Sequence, residues 1–81
     1  MIKYYRKLRT LLFENDITQR DIAEMTGRSL AYVNNCFCRR TEWTLTDIYI
    51  ICDKLKIPYA DISIYFPNNG GVNSKKEVAA C

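Results

Sequence analysis

The stretch covering residues 19–38 constrains this chain most. Ile22, Ala23 and Met25 mark one short helical segment and Val33 and Cys36 mark another, with only Gly27, Arg28 and Ser29 between them. Two helices joined by so short a turn must approach closely. The inward side chain before the turn then has to be small, and the turn needs a backbone angle that most side chains disfavour. Ala23 and Gly27 supply those needs. Ile22 and Val33 would clamp the pair to the remaining core, and Cys36, about one turn further on, would fill the gap.

The rest of the chain reads as further short helices around this pair. Tyr4, Leu8, Leu11 and Leu12 lay one apolar stripe along a first helix over residues 2–14. Asn15 and Asp16 break it, and Ile17 plugs the turn. Thr18 with Asp21 three residues later matches a capping pattern that starts the second helix. Ser29 is a good N-cap for a third helix reaching about Phe37, in which Ala31, Asn34 and Asn35 face outward. A basic loop follows, and Thr44 with Asp47 repeats the capping pattern before a fourth helix whose stripe is Leu45, Ile48, Ile51, Cys52 and Leu55. Pro58 then introduces a fifth short helix over residues 59–65. The expected architecture is therefore all-α: one compact five-helix domain over residues 1–67, with residues 68–81 too polar and glycine-rich to order and left as a flexible C-terminal tail.

Eighty-one residues leave room for one core, and no run is long and apolar enough for a membrane span. Neither does the N-terminus, with Lys3, Arg6, Lys7 and Arg9 threaded among apolar residues, resemble a secretory signal, so a cytoplasmic location is expected. The four basic residues read as the surface of the first helix. Cys36, Cys38, Cys52 and Cys81 lack zinc-site spacing and there is no histidine, so no metal and no cofactor is expected. Cys36 and Cys52 read as core, Cys38 and Cys81 as more exposed. Charge is uneven: residues 1–40 hold eight Lys or Arg against four acids, whereas in residues 41–74 Lys54 and Lys56 face four. A basic front half suits a polyanionic partner, although solvated helix faces produce the same imbalance.

At the residues of the turn the chain resembles the phage repressor and Cro-like helix-turn-helix family, often called the XRE family. Thr18-Gln19 opens the second helix, Ile22-Ala23 lies within it, Gly27 forms the turn, Ser29 caps the next helix, and Val33 sits inside it. Leu55 and Ile57 stand where the family often has Leu-Gly-Val/Ile, and the likeness runs over residues 4–66. Residues 62–66 resemble small prophage-encoded members. Thr26 and Arg28 depart from the pattern by flanking the glycine where apolar residues are usual, and Cys38-Arg39 replaces a frequent Asn-Gly.

The resemblance implies a lambda-repressor-like fold and a transcriptional regulator, most simply a repressor, whose third helix enters the DNA major groove. Leu30, Ala31 and Asn35 are then the base-facing set: an amide can pair with adenine, and Leu30 or Ala31 can touch a thymine methyl. Gln19, Arg28, Ser29, Tyr32, Asn34, Arg39, Arg40 and Thr41 would lie at phosphates or the groove edge. Plain solvation of these polar side chains, or packing of Tyr32, is the competing reading. Trp43 reads as a lid on the seam between the third and fourth helices. A homodimer on two half-sites is expected, with Ile57, Tyr59, Ile62, Tyr65 and Phe66 forming either its interface or a cap on the monomer core. No membrane or small-molecule partner is evident. The absence of histidine, a glycine-rich phosphate loop and paired carboxylates argues against an enzyme. The alternative from another class is an adaptor of the same shape that binds protein and not DNA.

Overall fold

The computed structural model describes residues 2–72 and 79–80. Helices α1 (Arg6–Glu14), α2 (Gln19–Thr26), α3 (Leu30–Phe37), α4 (Leu45–Leu55) and α5 (Ile62–Tyr65) build an all-α domain, with a 3₁₀ turn at Tyr59–Asp61 leading into α5. Two residues of β1 (Ile2–Lys3) pair in parallel with two of β2 (Ala79–Ala80). No helix among the described residues is long and apolar enough to cross a membrane.

The starts of α2, α3 and α4 follow from their caps. Thr18 accepts from the Asp21 amide while the Asp21 carboxylate accepts from the Thr18 amide at 2.8 Å, a reciprocal capping box. Ser29 and Thr44 accept from the Tyr32 and Asp47 amides at 3.0 and 3.1 Å. The second box is not reciprocal, because the Asp47 side chain is engaged elsewhere.

One device ends all of α1 to α4. Residues Asp16, Gly27, Arg39 and Lys56 each adopt the left-handed conformation, with φ of 56°, 69°, 63° and 58°. The amide of the following residue bonds back to a carbonyl five residues earlier: Ile17 to Leu12, Arg28 to Ala23, Arg40 to Asn35 and Ile57 to Cys52, all at 2.8–2.9 Å. This closure usually places glycine at the left-handed position, and only α2 does so. A Cβ on Gly27 would meet nothing within 4 Å, so the glycine answers to its backbone angle and not to crowding. The other three residues carry a Cβ against the following carbonyl. Lys56→Gly is therefore expected to raise the unfolding free energy by about 1 kcal/mol in urea titrations, relief of that clash outweighing the extra freedom of the unfolded chain; destabilisation would contradict the closure.

The core gathers Leu8 and Leu12 of α1, Ile22 and Ala23 of α2, Val33, Cys36 and Phe37 of α3, and Ile51 and Cys52 of α4. An aromatic cluster lies within it. Phe37 and Trp43 meet edge-to-face with ring centres 5.3 Å apart, Trp43 and Phe66 at 5.9 Å, and Tyr5 reaches all three. Trp43 is thus part of the core and not a lid. Its Nε1 is buried without a hydrogen-bond partner among the described residues.

Several expectations are corrected here. Helix α1 begins at Arg6 and not at residue 2, because Tyr5 takes a left-handed angle and gives its amide to the Gly70 carbonyl at 2.9 Å. Tyr5, absent from the expected stripe, is buried, and Tyr4 is only half-buried. The ordered domain therefore runs past residue 67. Residues Asn68–Gly71 form a tight turn in which Asn69 and Gly70 take left-handed angles, with φ of 56° and 65°, and Gly70 is so closely packed that a Cβ there would lie 2.7 Å from Tyr4 Cδ1. The remainder of the expected tail, residues 73–78 and Cys81, lies outside the described residues. Cys38, expected to be more exposed, is buried, at the closure of α3 just before the left-handed Arg39. Leu45, assigned to the apolar stripe of α4, is instead 61% exposed. Arg9 is not plain surface: its Nε donates to the Tyr4 carbonyl at 2.7 Å, its Nη2 to the Phe37 carbonyl at 3.1 Å, and its guanidinium lies 5.0 Å from the Phe37 ring centre.

Candidate nucleic-acid interface

Helix α3 has two unlike sides. Val33, Cys36 and Phe37 are buried, which at 100° per residue turns Ala31, Asn34 and Asn35 away from the core. Leu30 flanks that outer side and is 41% exposed; Ala31 and Asn34 are exposed, and Asn35 is half-buried. The helix carries no charged side chain, so its outer side offers two amides, a methyl group and an isobutyl group. Its start is separated from α2 by three residues, and Arg39 and Arg40 follow its end.

The orientation of α3 is held by a buried carboxylate. Asp47 in the first turn of α4 is 1% exposed and accepts from Arg28 Nε at 3.2 Å and from the Tyr32 hydroxyl at 3.0 Å. The Arg28 guanidinium also lies 4.7 Å from the Tyr32 ring centre. One side chain thus ties the α2–α3 turn, α3 and α4 together. Burial opposes the charge on Asp47, but hydrogen bonding from Thr44, Arg28 and Tyr32 outweighs it and holds the carboxyl below its ordinary value. The Tyr32 phenol is pushed up to about 12, first by burial and then by its bond to Asp47. The Cys36 and Cys52 thiols are pushed up by burial, which keeps them as inert packing groups.

This tie redistributes the residues expected at phosphates. The Tyr32 hydroxyl is engaged with Asp47, whereas Arg28 gives Asp47 only its Nε and keeps a 40% exposed side chain, so its charge is offset at the start of α3 but its outer guanidinium edge stays open. Ser29 uses its hydroxyl as the cap. Arg39 is half-buried, 3.7 Å from Glu42. Arg40 is exposed, and its guanidinium stands 3.4 Å from Asn35 Oδ1, a long contact that leaves the amide readily available. Asn34 accepts a weak bond from the Cys38 thiol at 3.9 Å. Thr41 and Gln19 are half-buried, Gln19 in the first turn of α2. Thr26, one of the departures beside the turn glycine, satisfies its hydroxyl on the Ile22 carbonyl at 2.7 Å.

Four of the five candidate dimer residues turn inward. Ile57 is buried, and Ile62, Tyr65 and Phe66 are partly buried and packed on the core, Phe66 against the Tyr5 and Trp43 rings. Tyr59 is 55% exposed; its ring leans on Tyr49 with centres 5.1 Å apart, and its hydroxyl donates to Asp53 at 2.7 Å.

Asp47 is the residue that local sequence reasoning missed. Its place three residues after Thr44 fits a cap, and its partners lie 15 and 19 residues upstream. Among the described residues no group of three or more His, Cys, Asp or Glu is placed to hold a metal ion. No family model, no curated protein and no solved structure matches this chain.

Proposed function

We propose that this protein binds duplex DNA by laying the outer side of α3 in the major groove, and so regulates transcription, most simply as a repressor in the cytoplasm. The observation that carries the reading is the chemistry of that side. Ala31, Asn34 and Asn35 project from a helix whose opposite side is fixed in the core, and they bring amide and methyl groups without a competing charge. Amides and methyls are the groups that read base edges, while cations grip phosphates. Arg40, exposed just beyond the helix, supplies such a cation. A pair of copies on two half-sites completes the proposal, with Tyr59 the exposed member of the candidate dimer residues.

Fragments selected from a random duplex pool test this directly. Asn35→Ala is expected to cost about 1–3 kcal/mol and to relax preference at one base position. Arg40→Ala should weaken binding to every sequence and lower the salt slope by about one. Equal, sequence-independent losses for both would contradict these roles.

A protein-binding adaptor is favoured by one observation: the Asp47 carboxylate offsets the charge of Arg28 at the start of α3, beside the exposed Leu30. Duplex retention that does not fall with rising salt, or no retention at all, would favour that reading.

A further inference from the structure

A groove of about 600 Å³ runs between the outer side of α1 and the segment from α5 to Gly71. Its lining combines an apolar set, Leu11, Ile64 and Tyr65, with a basic set, Lys3, Arg6 and Lys7. Ile64 is 47% exposed, an aliphatic side chain left open beside charge. The two ion pairs among the described residues are Arg28–Asp47 and Arg39–Glu42, so all three groove cations lack a carboxylate partner there. Glu14 stands at the far end. The first turn of α1 adds to the positive end, since Tyr5 provides no side-chain cap and the turn holds no acidic residue.

We propose that this groove docks a short acidic and apolar peptide segment of a partner protein. Its carboxylates lie against Arg6 and Lys7, and its apolar side chains lie on Leu11 and Ile64. The charge pattern fixes the direction. Arg6 and Glu14 are eight positions apart on one helix, about 12 Å, which an extended peptide spans in roughly four residues. An acid at the Glu14 end would be repelled, so the acidic and apolar ends of the ligand cannot be exchanged. A nucleic-acid backbone would satisfy the cations but leave Leu11 and Ile64 without an apolar partner, which is why the observations favour peptide.

Panning the whole chain against phage-displayed random octapeptides tests the proposal. Enriched sequences should place an acid a few positions from two apolar residues in a constant order. Synthetic versions, followed by fluorescence polarisation, should lose at least about tenfold in affinity to the double variant Arg6→Glu, Lys7→Glu, and severalfold to Ile64→Ser. Lys3→Glu provides a second charge variant, and unchanged thermal unfolding shows that each variant retains the fold. Asn35→Ala and Arg40→Ala should leave peptide affinity unchanged, which separates this groove from the DNA-facing side of α3. Enrichment without an acidic bias, or affinity indifferent to charge reversal, would overturn the proposal. So would loss with the charge variants but not with Ile64→Ser, or loss of duplex binding and not of peptide binding; these last results would assign the cations to a nucleic-acid backbone.

Discussion

Phe37→Ala is expected to lower the unfolding free energy by about 3–5 kcal/mol. The side chain is 1% exposed and its ring meets Trp43 and Tyr5 edge-to-face, so truncation removes both its own burial and the surface on which its neighbours rest. The ring also lies beneath the Arg9 guanidinium, which would lose its aromatic partner while keeping its bond to the Phe37 carbonyl. A small domain holds only about 5–15 kcal/mol in total, and an 81-residue chain belongs near the lower end, so much of the variant should be unfolded at body temperature. Urea titration followed by Trp43 emission measures the loss. A change below about 1 kcal/mol would mean that the aromatic cluster is not the centre of the core. Phe37→Leu, which refills most of the volume, should recover the larger part.

Removing the buried carboxylate is the next largest effect. Asp47→Ala is expected to cost about 2–3 kcal/mol at neutral pH, since the side chain is almost wholly buried and accepts from two partners, one of which, the half-buried Tyr32 hydroxyl, is left without an acceptor. The cost should depend on pH with a defined sign. The carboxyl of the folded chain titrates below its ordinary value of 3.8, so its stabilisation is fully present above that value and disappears as pH falls further. The gap between the parent chain and Asp47→Asn should accordingly close in acid, below about pH 4, and stay constant from pH 5 to 8. A gap unchanged in acid would mean that Asp47 acts through shape alone. Because Asp47 fixes α3 through Tyr32, the alanine variant should also weaken the duplex binding proposed for α3, without changing its sequence preference.

The helices were readable where their signals are local. The pairing of Thr18 with Asp21, the glycine at 27 and the serine at 29 set the ends of α2 and the start of α3, and each acts within a few residues of itself. The outward side of α3 follows from the burial of Val33 and Cys36, both placed by spacing. What escaped depends on distant partners. Nothing near Tyr5 announces that Gly70 will receive its amide, and this contact shortens α1 and draws residues 68–71 into the fold. Nothing around Thr44 distinguishes a capping aspartate from one that reaches Arg28. Residues 57–66 are dense in apolar side chains, and density alone cannot tell a core lid from a partner surface. The geometry resolves it for Ile57, which is buried, and leaves Tyr59 outside.

The corners at Asp16, Arg39 and Lys56 have a consequence for chirality. An L-residue there holds its Cβ against the chain, whereas its mirror-image enantiomer is at ease at the same backbone angle. A synthetic chain with D-lysine at position 56 would keep the ammonium group and relieve the crowding, thereby separating handedness from charge at a corner where glycine changes both.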